Sequence, residues 1–395
     1  MTPSSGLGPL DLLVVQPTPF CNLDCSYCYL PDRADKRRMG METLARIFER
    51  VFESDLVRES FTVVWHAGEP MVLPTSWYEA AFAVIDRLTP AGVRVAHSFQ
   101  TNATLVDAAW CDLIEARGIR IGVSVDGPDF LHDRCRKTRS GAGTHARVME
   151  GIAELQRRAI PFHVISVLTR AALDYPDELY AFYVDNGIDH IGFNIEEIEG
   201  PNDRSSLAAS DAEASFRRFM ARFCDLVDSG GRALHVRELD STMGALLYDG
   251  DRTAFHLQET APFAILSADC EGNFTTFSPE LLGLRNERYG DFVLGNAHTD
   301  SLMTVAASAA FARLHRDVAA GVDACRRTCS YFEFCGGGAP VNKLCENGSF
   351  ESTETLFCRL NRKALVDVLL DRLLPQIGPK SQVPGPRSRI LDPDL

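Results

Sequence analysis

The 395-residue chain has no apolar run long enough to cross a bilayer, so a membrane-spanning helix is not expected. Its first residues, Met1-Thr2-Pro3-Ser4-Ser5-Gly6, lack a basic region and an apolar core. No export signal is therefore expected, and the chain reads as cytoplasmic. Basic charge is also short: 40 Lys and Arg stand against 54 Asp and Glu, a net charge of −14. Nucleic-acid binders usually need a basic face, so that class is not expected either. The same imbalance is compatible with a basic peptide as partner. No internal repeat is present.

Cysteine, by contrast, is plentiful, with 12 residues. The cytosol keeps thiols reduced, so in an unexported chain these read as metal ligands or buried thiols, not disulfides. Cys21, Cys25 and Cys28 form a C-x3-C-x2-C group on one short loop. A closed zinc site normally takes four protein ligands. Three thiolates suit a [4Fe–4S] cube with one iron left open to hold a second molecule, a half zinc site or chance clustering being the plainer alternative. A second group comprises Cys325, Cys329, Cys335, Cys345 and Cys358, preceded by the isolated Cys270. Four thiolates also bind zinc well, so zinc stays open there. Cys111, Cys135 and Cys224 fall in helical or helix-approach segments and read as buried small hydrophobes.

Apolar, β-branched runs at 12–15, 61–65, 93–99, 119–125, 162–168 and 190–194 alternate with amphipathic segments. Leu44, Ile47, Phe48, Val51 and Phe52 share one face of a helix, and similar patterns recur around 76–88, 106–117, 144–158 and 175–186. Strands alternating with helices predict a parallel sheet with right-handed crossovers. Six such units predict an α/β fold, a partial (β/α)6 TIM-like barrel. In parallel barrels the chemistry lies at the C-terminal strand ends, and the cysteine triplet directly follows the first strand. A helix carrying Phe216, Phe219, Met220, Phe223 and Val227 is expected to cap the barrel. The predicted division is a barrel over 1–235, a second domain over 236–375 and a disordered tail over 376–395, rich in Pro, Gly, Ser and Arg.

The triplet, with Tyr27 just before its third cysteine, resembles the radical S-adenosylmethionine (SAM) superfamily. The resemblance implies a [4Fe–4S] cluster on Cys21, Cys25 and Cys28 whose open iron chelates SAM. One electron then cleaves SAM to a 5′-deoxyadenosyl radical. His66-Ala67-Gly68-Glu69-Pro70 is similar to the superfamily's Gly-Gly-Glu-Pro motif, with Ala67 in place of the first glycine. Gly68 and Glu69 are thereby implied to contact the methionine amino group. Ser124 and Arg136 match the positions that hold the ribose and the methionine carboxylate, and a guanidinium fork suits a carboxylate. Tyr27 and Asn102, which follows the third strand, complete the implied cofactor-binding set.

The later cysteines resemble the SPASM extension of radical enzymes that act on peptides. Order for order, Cys325, Cys329, Cys335 and Cys358 are implied to hold one auxiliary [4Fe–4S] cluster. Only Cys270 and Cys345 remain for another, which is therefore expected to be absent or degenerate. The runs Val14–Cys25, Phe61–Pro70 and Cys335–Lys343 look like the cyclophane-forming peptide maturases of the GrrM/OscB type. That resemblance implies a small ribosomal precursor peptide, rich in Gly and Arg, and an electron donor such as ferredoxin or flavodoxin. It also implies a bond between an aromatic ring carbon and the β-carbon of a residue two positions later. The surplus electron would pass first to the auxiliary cluster, and the proton to a base. Asp126, Glu196 and Glu197, with His66 and His190, are the candidate bases. The alternatives are formylglycine-type oxidation, thioether formation or epimerisation by the same architecture, and a non-enzymatic zinc or iron–sulfur peptide-binding protein.

Overall fold

The computed structural model describes residues 6–248 and 257–374, so the tail expected over 376–395 lies outside the described residues. Six parallel strands come first: β1 (Leu12–Val15), β2 (Ser60–Trp65), β3 (Arg94–Thr101), β4 (Arg120–Ser124), β5 (Phe162–Leu168) and β6 (His190–Ile195). They are neighbours in sequence order, as the alternating pattern predicts. The intervening helices are α1 (Met41–Phe52), α2 (Thr75–Leu88), α3 (Ala108–Arg117), α4 (Asp129–Cys135), α5 (His145–Arg157) and α6 (Pro176–Asp185).

The two faces of the sheet differ in chemistry because side chains alternate along a strand. Leu13, Val15, Val63, Trp65, Phe99 and Ile121 are fully buried on the outer face. There the Trp65 and Phe99 rings pack against Tyr78 of α2, and Leu44, Ile47, Phe48 and Val51 bury the matching face of α1. The inner face is polar: Ser98 of β3 stands opposite Val64, and Gln100 opposite Gly122. This polar lumen opens at the C-terminal strand ends.

The helix expected to cap the barrel, α7 (Ala212–Ser229), does something else. Its Phe219 and Phe223 rings pack edge-to-face against Phe193 of β6, whose side chain lies on the outer face. The aromatic stripe is long enough to need a whole sheet edge, so α7 joins the outer helical layer.

Beyond it, β7 (His235–Val236) extends the sheet past β6 and leads into α8 (Arg237–Leu247). At the opposite edge, β8 (Ile265–Ala268) pairs parallel with β1, followed by antiparallel β9 (Asn273–Thr276) and β10 (Gly295–Asn296). One sheet of ten strands thus runs through both halves of the described chain, with β10 and β7 at its edges and no closure between them. The remaining elements are α9 (Leu302–Ala306), α10 (Ala309–Thr328), α11 (Phe332–Cys335), α12 (Pro340–Asn347), a π-helical stretch over Cys358–Ala364 and α13 (Leu365–Leu373). No described helix is long and apolar enough to cross a membrane.

Candidate functional site

The loop after β1 carries Cys21, Cys25 and Cys28, and it is pinned to the segment that follows α4. Asp24 N donates to Lys137 O at 2.7 Å and Ser26 N to Cys135 O at 3.0 Å, while Leu23 bridges Thr138. Arg139 Nε donates to Cys21 O at 3.0 Å, and Arg33 Nη1 to Cys25 O at 2.9 Å. The three thiols are close enough to feel one another's charge. Burial pushes Cys21 up to about 12, with Glu69 adding to the effect, and pushes Cys25 up to about 11 against the pull of Arg136. Such thiols keep their protons until a metal replaces them, which is the chemistry of a thiolate cluster site. Three sulfurs on one loop at a strand's C-terminal end fit the expected [4Fe–4S] group. Cys135 is a correction: it is half-buried beside Ser26 of this loop, because α4 delivers it to the site and not to the core.

The segment after β2 supports the loop from beneath. Gly68 has φ +130°, and a Cβ there would stand 2.3 Å from Thr18 O, so only glycine fits against the start of the cluster loop. Ala67 also has positive φ, at 64°, which accounts for a glycine at this position in the superfamily motif. Glu69 is only 2% exposed. It accepts from Thr101 Oγ1 at 2.7 Å, Asn102 N at 2.8 Å and Met71 N at 3.0 Å. Burial raises it to about 7 despite those bonds, so a cation brought to it would be strongly favoured. An ammonium group fits this carboxylate. Asn102 Nδ2 bonds Asn22 Oδ1 at 2.9 Å and stands 3.9 Å from Cys21 Sγ, tying the third strand end to the cluster loop.

Tyr27, Asp126 and Arg136 form one buried unit. Asp126 accepts from the Tyr27 hydroxyl, from Arg136 Nε and Nη2 at 3.0 and 3.1 Å, and from Val167 N at 2.9 Å. The guanidinium also lies 5.4 Å from the Tyr27 ring centroid. Asp126, a candidate base in the sequence, is thus engaged as a strut between β4, β5 and the cluster loop. Arg136 keeps Nη1 free of protein acceptors among the described residues. Ser124 Oγ accepts from Gln100 Nε2 at 2.9 Å on the lumen face.

The other candidate bases separate by position. His190 is the first residue of β6 and stacks on His235, at the end of the sheet away from the cluster loop. His66 follows β2 near Tyr29, and burial lowers it to about 4, so it is neutral at pH 7. Glu196 and Glu197 follow β6. Glu196 accepts from Ser206 N at 2.7 Å. Glu197 sits in a carboxylate group with Glu199 and Glu280; burial raises it to about 8, helped by Glu280 and Glu259 and opposed by Asn342. Glu199 is also raised well above the usual carboxylate range, by burial and by Glu197. Asn342 Nδ2 of α12 donates to Glu197 and reaches Glu199 Oε1 at 3.2 Å.

Cys325 of α10, Cys329 just past its end, Cys335 at the end of α11 and Cys358 at the start of the π-helical stretch line one cavity. Gly337 and Gly338 N–H groups face the Cys335 thiol, and Arg362 lies beside it. Burial pushes Cys358 up to about 12, with Cys335 adding to it. Lys343 joins the lining. Four thiols with backbone donors and cations around one cavity fit an anionic metal–thiolate group. Cys270 and Cys345 sit in different surroundings: Cys270 lies beside Asp269 and Arg37, Cys345 beside Gly200, Glu280 and Glu346. Sequence reasoning missed Asn22, Thr101, Arg139, Glu199, Glu280 and Lys343. Asn22 and Thr101 adjoin marked residues, and Lys343 ends the run Cys335–Lys343, but Glu280 had no signal because only folding brings β9's flank to β6.

The Radical SAM superfamily profile matches residues 15–183. An uncharacterised protein of Synechocystis is 43% identical over 378 residues, covering 95% of this chain and 94% of that protein. A serine-type anaerobic sulfatase-maturating enzyme of Bacteroides thetaiotaomicron is 29% identical over 209 residues, 51% of this chain and 50% of the enzyme, so the match spans half its length. Among solved structures, native anSMEcpe with bound AdoMet superposes with a TM-score of 0.75 at 18% identity, covering 93% of this chain and 99% of that one. Streptococcus suis SuiB bound to precursor peptide SuiA superposes with a TM-score of 0.63 at 16% identity, covering 89% and 76%. These two likenesses are of fold, including the region after the barrel.

Proposed function

Because the chain belongs to the radical SAM superfamily of enzymes, we propose that it matures a ribosomally made precursor peptide by closing a cyclophane. The bond would join an aromatic ring carbon to the β-carbon of a residue two positions later. The superfamily domain implies a [4Fe–4S] cluster and AdoMet, which when bound supply a 5′-deoxyadenosyl radical that takes a hydrogen atom from carbon. Cys21, Cys25 and Cys28 would hold that cluster, and Glu69 would take the methionine ammonium. Ser124 and Arg136 would hold the ribose and the methionine carboxylate. Cys325, Cys329, Cys335 and Cys358 would hold an auxiliary [4Fe–4S] cluster.

The observation that carries the reading is the contact from Asn342 to Glu197 and Glu199. Asn342 belongs to the run that resembles the cyclophane maturases, and it reaches the buried carboxylates at the end of β6. Ring closure leaves a proton to be removed from the aromatic carbon, and an acid titrating near 8 is matched to that task at neutral pH. Glu197 is therefore the base of this proposal. A Gly/Arg-rich peptide is supported by the chain's acidic balance, and ferredoxin or flavodoxin would supply the electron.

The test is co-expression with small Gly/Arg-rich peptides encoded beside the gene, followed by tandem mass spectrometry. The expected product has lost two hydrogens and resists fragmentation between the aromatic residue and the residue two positions on. A product trapped by an aldehyde reagent would replace this reading with formylglycine formation. Unchanged mass with inverted stereochemistry would replace it with epimerisation.

A further inference from the structure

We propose that Lys343 is the built-in counter-charge of the four-thiolate cavity and sets the reduction potential of the cluster held there. The inference rests on the auxiliary [4Fe–4S] reading given above. Lys343 is 2% exposed and lies in α12 with its neighbours Asn342 and Leu344 also buried. Lysine is almost never fully buried unless paired. Among the described residues no carboxylate, carbonyl or hydroxyl accepts from its ammonium, yet its side chain lines the cavity with Cys325, Cys329, Cys335 and Cys358.

Two glycines lie along its side chain. A Cβ on Gly321 of α10 would stand 3.1 Å from Lys343 Nζ and 2.0 Å from Phe350 O. A Cβ on Gly338 would stand 3.8 Å from Lys343 Cε. The ammonium thus lies against α10 at Gly321, one helical turn before Cys325. An isolated buried charge is costly, and a partner of opposite sign is what repays the cost. Two other cations also stand near the thiols, Arg362 beside Cys335 and Lys363 beside Cys358 and Cys329. Lys363 is already paired with Glu354, and Arg362 lies over the Phe357 ring.

A four-thiolate iron–sulfur cube is anionic when oxidised and takes one further negative charge on reduction. A fixed cation at its edge favours the reduced form and raises the potential, since burial and neighbouring charge are what tune such clusters. Asn342, one residue away on α12, faces Glu197 and Glu199 instead. The same helix therefore presents one polar residue to the proposed base and the next to the cluster cavity.

The experiment uses the full-length chain carrying Cys21→Ala, Cys25→Ala and Cys28→Ala, so that only the auxiliary site gives a signal. After anaerobic reconstitution, iron and zinc are measured, and the midpoint potential is read by dye-mediated EPR titration for Lys343, Lys343→Met, Lys343→Gln and Lys343→Arg. Lys343→Met should keep its iron and shift the reduction equilibrium about tenfold toward the oxidised form, about 59 mV for one electron. Lys343→Arg should stay close to the parent. An unchanged midpoint in Lys343→Met overturns the proposal. If Lys343→Met loses its iron, the Lys343→Gln and Lys343→Arg pair decides: a lower midpoint in Gln supports the counter-charge, and equal midpoints overturn it. Zinc in place of iron in the parent overturns the auxiliary-cluster reading itself, before any potential is measured.

Discussion

Glu197 shows how a single buried acid can be read for both stability and chemistry. Burial raises it from 4.5 to about 8, so between those values the folded chain holds a proton that the unfolded chain has released. Folding stability contributed by this group therefore falls as pH rises from about 4.5 to about 8 and is level outside that window. As a base it works only when ionised, so turnover should rise with pH toward a plateau above about 8. Glu197→Gln should flatten that rise and lower kcat more than tenfold; a pH profile unchanged by the substitution would remove Glu197 from the mechanism. The cysteine triplet makes the opposite kind of claim. Cys21, Cys25 and Cys28 lie on a loop outside the apolar core, so alanine at any of them should leave the melting curve nearly unchanged and abolish AdoMet cleavage. A triple variant that still made 5′-deoxyadenosine under strong reductant would contradict the cluster assignment.

At the scale of elements, the cluster loop is held less by its own sequence than by what it leans on. Asp126 at the end of β4 and Arg136 after α4 share a bidentate ion pair, both under a tenth exposed, and Tyr27 of the loop closes onto it. Breaking one partner of a buried pair typically costs about 3–5 kcal/mol, because the survivor is left uncompensated. Arg136→Met and Asp126→Leu should each lower the melting temperature markedly, and the double variant should lose less than the sum. Additive losses in thermal denaturation would mean that the two side chains act independently. The positions of this unit were visible in the sequence, since strand periodicity put Asp126 and Arg136 just past β4. Their pairing was not, because the motif assigns Arg136 to a ligand and says nothing of its second partner. Periodicity also located the six strands to within a residue or two, because each buries an apolar outer face against a helix. It misplaced α7, whose aromatic stripe reads the same whether it covers a barrel end or a sheet face; only Phe193 across from it decides.

The whole molecule carries two cysteine sites, one after β1 of the ten-stranded sheet and one among the helices that follow the sheet. The resemblance to the SPASM extension set Cys325, Cys329, Cys335 and Cys358 apart from Cys345, and these four line a single cavity. Anaerobic reconstitution should therefore load about eight irons per chain, one cube at each site, and a Cys270→Ala/Cys345→Ala variant should lose few of them. About twelve irons, a third of them lost in that variant, would reveal a further cluster. The net charge of −14 belongs to this scale as well, because no single contact expresses it. Fields from exposed charges reach only about 8 Å at physiological ionic strength. An arginine-rich precursor should thus bind more weakly as salt rises from low to a few hundred millimolar, chiefly through a slower on-rate. AdoMet binding should change far less, because Glu69 is buried and acts at short range. Replacing precursor arginines with glutamine should remove most of the salt dependence while leaving turnover at saturating peptide intact. Stopped-flow association measured across the salt series checks this. If the glutamine peptide binds as fast as the parent at low salt, the acidity plays no part in capture, and recognition rests on apolar and backbone contacts in the lumen.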